Sequence, residues 1–391
     1  MKINTITCQH VYNYGASLQA YALQHFLESM GNEVEIIDFN PWFHCDRYNP
    51  FWKPKNAIGR AASIIKIFPF LRFIWYPFKA YRGGMFKTWG RKSAFDTFER
   101  EYYHLTTTKY SSSEELKQTP PQADVYVAGS DQIWNTFSEN GKEPGYYLDF
   151  GDDNTKRISY AASLATSSIK EECKDFVKEE VSHFDAISVR EKTGLKLLAD
   201  LGIEDVSVVL DPVFLLDKDE WRRLSGKGNL YGLRPGSYIL VYDFLGNDES
   251  MASFVKKYAK DKSLKIVSVN DFSERNYVDT NINNAGPLEF LALIDNAACV
   301  IASSFHATAF SVILEKEFYT FSLKGYNNSS RMQDLLSTIG LAARMNPTNI
   351  SDKFVEWRNV GERLKTQILK SKEFLAKSLE YAYDHRPSSL L

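Results

Sequence analysis

Short apolar runs bounded by glycine and polar residues alternate along this chain with stretches whose apolar positions recur every three or four residues, the marks of strand and helix in turn. Ile3–Thr7 reads as a strand, Ala16–Met30 as a helix with Leu18, Tyr21, Ala22 and Phe26 on one face, and Glu33–Phe39 as a second strand. This is a βαβ unit. Asp124–Ala128 (DVYVA), Arg157–Ala161 and Ala186–Val189 follow as strands, then a helix over Lys192–Leu201 and a strand over Val206–Leu210. The alternation restarts with strands at Tyr238–Tyr242, Leu264–Val269, Cys299–Ala302 and Phe318–Leu323, and helices at Glu249–Lys260, Pro287–Asn296, Thr308–Glu315 and Arg331–Ile339. Between the two series, GKGNLYGLRPGS (226–237) is the best linker, because glycine and proline punctuate it. Asp352–Tyr383 reads as a long helix that packs back across both halves. The expected architecture is α/β, with two Rossmann-like domains facing across a cleft (GT-B-like). Residues 1–213 form the first domain, 236–351 the second, and 352–391 the returning helix.

Length agrees with two domains, since 391 residues exceed what one hydrophobic core usually supports. A formal net charge of -2 with 44% hydrophobic residues excludes a disordered or uniformly basic chain. Cys8, Cys45, Cys173 and Cys299 are widely spaced, with no zinc-ligand pattern, and read as reduced thiols of a cytoplasmic protein. No cofactor or metal is expected. The most apolar segment, Ala61–Phe78, is interrupted by Lys66, Pro69, Arg72 and Pro77 and does not read as a spanning helix. Phe51–Lys92 carries ten Lys or Arg and no Asp or Glu, interleaved with aromatics such as Trp52, Trp75 and Trp89. That pattern favours peripheral contact with an anionic membrane at its inner face. An insertion that packs on its own domain is the alternative. No nucleic-acid motif accompanies the charge, so no nucleic-acid partner is expected.

Four polar clusters stand where strands end. Asn13, Tyr14, Gly15, Ser17 and Gln19 lie at the first helix start, where backbone N–H groups and a glycine admit a polar ligand, or where Asn13 is simply a cap. Ser130, Asp131, Gln132 and Trp134 follow DVYVA and offer an acceptor, donors and an apolar face, the mixture a sugar requires; Asp131 is the candidate base. An Asx turn is the competing reading. Arg190 leaves a buried strand with a guanidinium fork suited to carboxylate or phosphate, and Glu191 beside it is either its partner or a second candidate base. In VIASSFHATAFSVI (300–313), His306 sits at a strand-to-helix junction with Ser303 and Ser304, as a working acid/base group or a core histidine. Arg331 opens the next helix within reach of the same region.

NYGASLQAYAL, AGSDQIWN, YAASLA, SVREKTG, DPVFLL and SSFHATAFSVI, in this order from about Thr5 to Leu341, resemble the polysaccharide pyruvyltransferases. The resemblance implies a GT-B-like fold. It also implies transfer of the enolpyruvyl group of phosphoenolpyruvate onto two hydroxyls of a sugar, giving a pyruvate ketal and phosphate in capsule or exopolysaccharide synthesis. By similarity, His306 and Arg190 fall on donor-site positions. Many members place an arginine two residues before the histidine, where this chain has Ser304, so Arg331 is the candidate replacement. His306 would be the general acid, Asp131 or Glu191 the base, and Arg190, Ser303, Ser304 and Arg331 the donor site. The acceptor would be a polysaccharide precursor, expected to be lipid-diphosphate-linked. The rival readings are a GT-B glycosyltransferase using a nucleotide sugar, and a non-catalytic membrane-associated glycan-binding protein.

Overall fold

A computed structural model of the chain describes residues 1–44, 48, 88–246, 248–270, 273–323, 330–351 and 354–384. Two parallel sheets organise it. The first contains β1 (Lys2–Ile6), β2 (Glu33–Phe39), β3 (Leu105–Tyr110), β4 (Val125–Ala128), β5 (Lys156–Ala162), β6 (Ala186–Val189) and β7 (Val206–Val208), in the order β3-β2-β1-β4-β5-β6-β7. The second contains β8 (Tyr238–Tyr242), β9 (Lys265–Val269), β10 (Thr280–Ile282), β11 (Cys299–Ala302) and β12 (Phe318–Thr320), in the order β10-β9-β8-β11-β12. The strand order reverses between β1 and β4, where Ile6 lies beside Ala128, and again between β8 and β11, where Tyr242 lies beside Ala302. In doubly wound sheets the crevice beyond such a reversal, at the carboxyl ends of the strands, is where ligands bind. The fold is the expected pair of Rossmann-like domains in a GT-B-like arrangement.

The described helices are α1 (Tyr14–Ser29), α2 (Trp89–Tyr102), α3 (Ser113–Gln118), α4 (Lys174–Val181), α5 (Lys192–Asp200), α6 (Lys218–Ser225), α7 (Glu249–Lys262), α8 (Pro287–Asn296), α9 (Phe305–Ile313), α10 (Ser330–Thr338) and α11 (Trp357–Asp384). No helix among the described residues is long and apolar enough to cross a membrane. β3 escapes a hydrophobicity reading because LTTTKY is an edge strand whose central residues are exposed. α9 starts at Phe305 rather than Thr308, which puts His306 inside the first helical turn. The crossing between halves falls at Asp211–Asp217, not at 226–237. α6 already belongs with the second sheet, its Trp221 packing edge-on against Phe310 at 4.8 Å between ring centroids. The glycine-rich 226–237 run is a surface loop that leads into β8.

The two halves share one apolar core. Tyr14 and Leu18 of α1 and Phe95 and Phe98 of α2 cluster with Tyr242, Phe290 and Phe310 of the second half. Tyr14 stacks on Phe290 with centroids 4.5 Å apart and planes 1° apart. Full burial of an aromatic of this size stabilises by about 1.5–3 kcal/mol. α11 joins both halves as well. Its Val360 and Leu364 lie in the shared core, and Leu375 and Leu379 lie under the first sheet with Ile3, Leu23 and Val125.

Most of the basic, aromatic 51–92 segment, and with it the expected membrane contact, lies outside the described residues. Two of its cations are described and do not face solvent freely. Arg91 is fully buried, stacks on Tyr14 and Phe95 at 4.5 and 4.4 Å, and donates to the Tyr12 carbonyl at 2.7 Å. Lys92 pairs with Asp96 at 2.5 Å.

α2 is also tied to the first sheet by charge. His10, in the loop after β1, lies 3.0 Å from Asp38 of β2 through Nε2 and 3.1 Å from Glu99 of α2 through Nδ1. Burial opposes the imidazolium, but these two carboxylates outweigh it and raise His10 from 6.5 to about 9. A raised histidine contributes stability that is fully present below its unfolded value and is lost as pH rises through its folded value. Asp38, held below its usual value by His10 and Lys109 despite burial, acts in the opposite direction and loses its contribution as the solution becomes acidic. Urea unfolding should show the wild-type protein losing on the order of 3 kcal/mol between pH 7 and pH 10, with most of that loss absent in His10→Gln.

Candidate active site

An open pocket of about 100 Å³ lies where both strand-order reversals meet. Asn13, after β1, and Asp131 and Gln132, after β4, form one wall. Tyr242 at the end of β8, Phe244 just after it, and Ser303 to His306, after β11, form the other, with Arg331 of α10 beside them. Four loops distant in sequence converge here because each follows a parallel strand at the same edge.

Asp211 organises the charged groups. It follows β7 at the crossing between the halves, and neither of its oxygens is idle. Oδ1 caps the turn after it by accepting the Val213 N–H at 3.1 Å. Oδ2 accepts from Arg190 Nη1 and lies 3.3 Å from His306 Nε2. Burial alone would raise the Asp211 carboxyl, but His306 and Arg190 hold it well below the usual carboxylate range. Arg190 in turn reaches Asp131 at 3.4 Å through Nη2, and the carboxylates around it overcome the burial that would otherwise lower it. The guanidinium from the first half and the imidazole from the second therefore meet on one carboxylate.

The imidazole is also fixed sterically. A Cβ placed on Gly15 would fall 2.0 Å from His306 Nδ1 and 2.3 Å from Cγ, so only glycine lets the first turn of α1 lie against the ring. Gly15 supports His306 from across the domain boundary.

Arg331 has no such partner. The residue is 7% exposed, its Nε is buried without a hydrogen bond, and no ion pair reaches it among the described residues. It faces the Phe305 ring at 5.7 Å, and Arg190 faces the same ring at 4.8 Å. Burial, then repulsion by Arg190, lowers Arg331 to about 10. It still carries its proton at neutral pH. Ser304 stands at the N-cap of α9 without capping it, so the positive end of that helix opens on the same pocket.

Several expected ligand contacts are instead parts of the frame. Tyr14 is buried in the shared core. Ser17 is buried and its carbonyl accepts from Tyr103. Gln19 joins β1 to β4, donating to Thr7 Oγ1 and accepting from Ser130 N, both at 3.0 Å. Ser130 is fully buried and donates to the Ala161 carbonyl at 2.7 Å. Trp134 is fully buried, stacked on Tyr147 and bonded through Nε1 to the Tyr146 carbonyl. None of these side chains lines the pocket. Glu191 is corrected too. Its Oε1 accepts from Ser163 Oγ and from the N–H groups of Leu164 and Ala165, each at 3.0 Å, so it clamps a loop rather than facing substrate. Asn13 lines the pocket and also caps α1, accepting from Gly15 and Ala16. Ser303 lines it while holding the Phe244 backbone at 3.0 Å. Asp131, Gln132, Ser304, His306 and Arg331 face it.

Reading the sequence for chemistry missed Asp211. The signal was a lone carboxylate between two apolar runs, VSVVL and PVFLL, where a buried acid needs a cation.

Several solved structures are similar to the chain at low identity. UDP-GlcNAc 2-epimerase from Methanocaldococcus jannaschii, in complex with UDP-GlcNAc and UDP, is 12% identical over 97% of this chain and 100% of its own, with a TM-score of 0.46. MnaA of S. aureus, solved with UDP, is 12% identical over 100% of both chains, with a TM-score of 0.47. An alpha-glucosyltransferase in complex with UDP and DNA is 9% identical over 100% of this chain and 96% of its own, with a TM-score of 0.45. No curated protein matches the chain in sequence. The family model of the polysaccharide pyruvyl transferases matches residues 13–325, a span that starts at the Asn13 cap and takes in Asp131, Arg190, Asp211 and His306. With four-fifths of its length matched, the chain belongs to the polysaccharide pyruvyl transferase family, and is a transferase.

Proposed function

We propose that the pocket transfers the enolpyruvyl group of phosphoenolpyruvate onto two hydroxyls of one sugar in a polysaccharide precursor, forming a cyclic ketal and releasing phosphate. The observation that carries this reading is Arg331, a buried guanidinium without an ion pair among the described residues, at a pocket onto which an uncapped helix start opens. Such a cation calls for a multiply charged anion. Phosphoenolpyruvate supplies about three negative charges on a small body, and Arg331 takes the role of the arginine that Ser304 replaces.

The chemistry follows from where the groups stand. His306 keeps Nε2 3.3 Å from Asp211 Oδ2, so its other ring nitrogen, Nδ1, is the one that passes a proton to the methylene carbon of the enol. Protonation there makes a methyl group and an oxocarbenium centre at the neighbouring carbon. A sugar hydroxyl adds to that centre and gives its proton to Asp131. The carbon–oxygen bond to phosphate then breaks, with Arg331 and the α9 start receiving the charge, while Arg190, which does not line the pocket, holds Asp131 and Asp211 from behind. The second hydroxyl closes the ring. Of the two hydroxyl protons, one replaces the proton donated to carbon and the other leaves with phosphate. Glu191 has no part in these steps. A lipid-diphosphate-linked acceptor presented at a membrane's inner face is consistent with this reading and is part of the proposal.

Purified protein should release inorganic phosphate from phosphoenolpyruvate only when a suitable glycoside is present. Arg331→Gln should raise the KM for phosphoenolpyruvate at least about 10-fold, the loss of one charge-assisted contact. Thermal stabilisation by UDP or GDP, with none by phosphoenolpyruvate, would replace this reading with glycosyl transfer.

A further inference from the structure

The donor end of the pocket is charged, but its outer end is of a different character. Phe244 is the one exposed large hydrophobic residue among the described residues that lines this pocket, at 39% exposure. Across from it stand Asn13, Asp131 and Gln132. Asn13 uses its oxygen to cap α1, and Gln132 uses its oxygen to accept from Asn135 at 3.1 Å, so in both side chains the amide hydrogens are left for a ligand. Asp131 adds an acceptor. An aromatic face opposed by amide donors and a carboxylate matches a pyranose, which has an apolar C–H face and a rim of hydroxyls.

The loop that carries Phe244 is held firmly from behind. Its N–H donates to Ser303 Oγ at 3.0 Å. Arg275, almost fully buried, donates to the Asp243 carbonyl from Nε at 3.0 Å and Nη2 at 2.6 Å, a guanidinium used to pin backbone. Asp243 accepts from Gly246 N at 2.8 Å and from the Tyr277 hydroxyl at 2.9 Å. Gly246 has φ +69°, and a Cβ there would fall 2.5 Å from Arg275 Nη1. A ring left exposed on a loop fixed this closely does not serve the core. It is a preorganised contact surface.

We infer that Phe244 is the stacking platform for the acceptor sugar. The ligand is a neutral pyranoside whose C–H face lies on the ring and whose reacting hydroxyl pair points at Asp131. Arg275 is a positioning residue for the platform. This deepens the proposed reaction and rests on it for the identity of the donor, but the platform itself binds sugar whether or not phosphoenolpyruvate is the donor.

The test uses two measurements on wild type, Phe244→Ala, Phe244→Trp and Arg275→Lys. In the first, saturation-transfer NMR reads direct contact of methyl β-galactopyranoside and methyl α-mannopyranoside with the full chain, without any donor. At least one glycoside should show strong transfer to its ring C–H protons in wild type and Phe244→Trp, and transfer reduced about 5-fold or more in Phe244→Ala. In the second, phosphate release gives the KM for acceptor and for phosphoenolpyruvate separately. Phe244→Ala should raise the acceptor KM about 10-fold, and by a larger factor than it changes kcat or the phosphoenolpyruvate KM; Phe244→Trp should restore most of the loss. Arg275→Lys should shift the acceptor KM in the same direction with the donor KM unmoved. The side chain at 244 leaves the backbone bond to Ser303 in place, and an unchanged melting temperature confirms folding. Sugar contact that is absent in wild type, or equal in wild type and Phe244→Ala, overturns the platform. If sugar contact depends on Phe244 but phosphoenolpyruvate yields no phosphate, the platform stands and the donor assignment falls.

Discussion

Asp211→Asn is expected to lower turnover by about 10³-fold, within the range for loss of general acid/base function. The amide keeps the shape of the carboxylate but removes the charge that Arg190 and His306 share. His306 then loses the carboxylate that orients its ring, because the amide presents a hydrogen or an uncharged oxygen to Nε2 in its place. Breaking a buried ion pair by removing one partner typically destabilises by about 3–5 kcal/mol. The lower end applies here, because Arg190 retains Asp131 at 3.4 Å. Urea unfolding and phosphate release measured on one preparation separate the two effects. A protein that loses stability but keeps the turnover of its folded fraction would make Asp211 a structural residue only.

Gly15→Ala is the more discriminating substitution. Alanine is favoured over glycine inside a helix by about 1 kcal/mol, so on helix propensity alone α1 should gain stability. Its methyl group would nevertheless fall 2.0 Å from His306 Nδ1, and the imidazole must turn or the two halves must separate slightly. Turnover should fall at least about 100-fold, the scale for misplacing a catalytic group by about 1 Å. The melting temperature should change by only a few degrees. Full activity in Gly15→Ala would show that His306 reacts from another position.

Much of the frame could be read from the sequence. Parallel strands buried on both faces appear as short apolar runs, and VYVA, YILVY and CVIA stood out for that reason. The region where ligands bind followed, because polar residues after such strands share one edge. What the sequence could not show is which polar residues at that edge turn inward. Gln19 and Ser130 look like ligand contacts, yet they satisfy each other where β1 and β4 diverge, and only the spatial pairing of those strands reveals it. Trp134 reads as a sugar platform on composition but is enclosed by Tyr147 and Phe184. Asp211 was hidden for the opposite reason. Asp before Pro reads as a helix cap, and one of its oxygens does serve that purpose. Arg331, legible as a candidate cation, lies just beyond the stretch that the family model matches, so its place in the pocket depends on the fold of α10.

The apolar seam between the halves has a consequence for how substrate is met. Tyr14, Phe290 and their neighbours fasten α1 to the second sheet, which is also what seats Gly15 under His306. The loss of conformational freedom needed to bring imidazole to guanidinium therefore falls on the folding of the chain, and under the proposed reaction it is not charged to donor binding. Under the proposed reaction, the choice of acceptor then rests with the side chains at the pocket mouth, Phe244 and Gln132 among them.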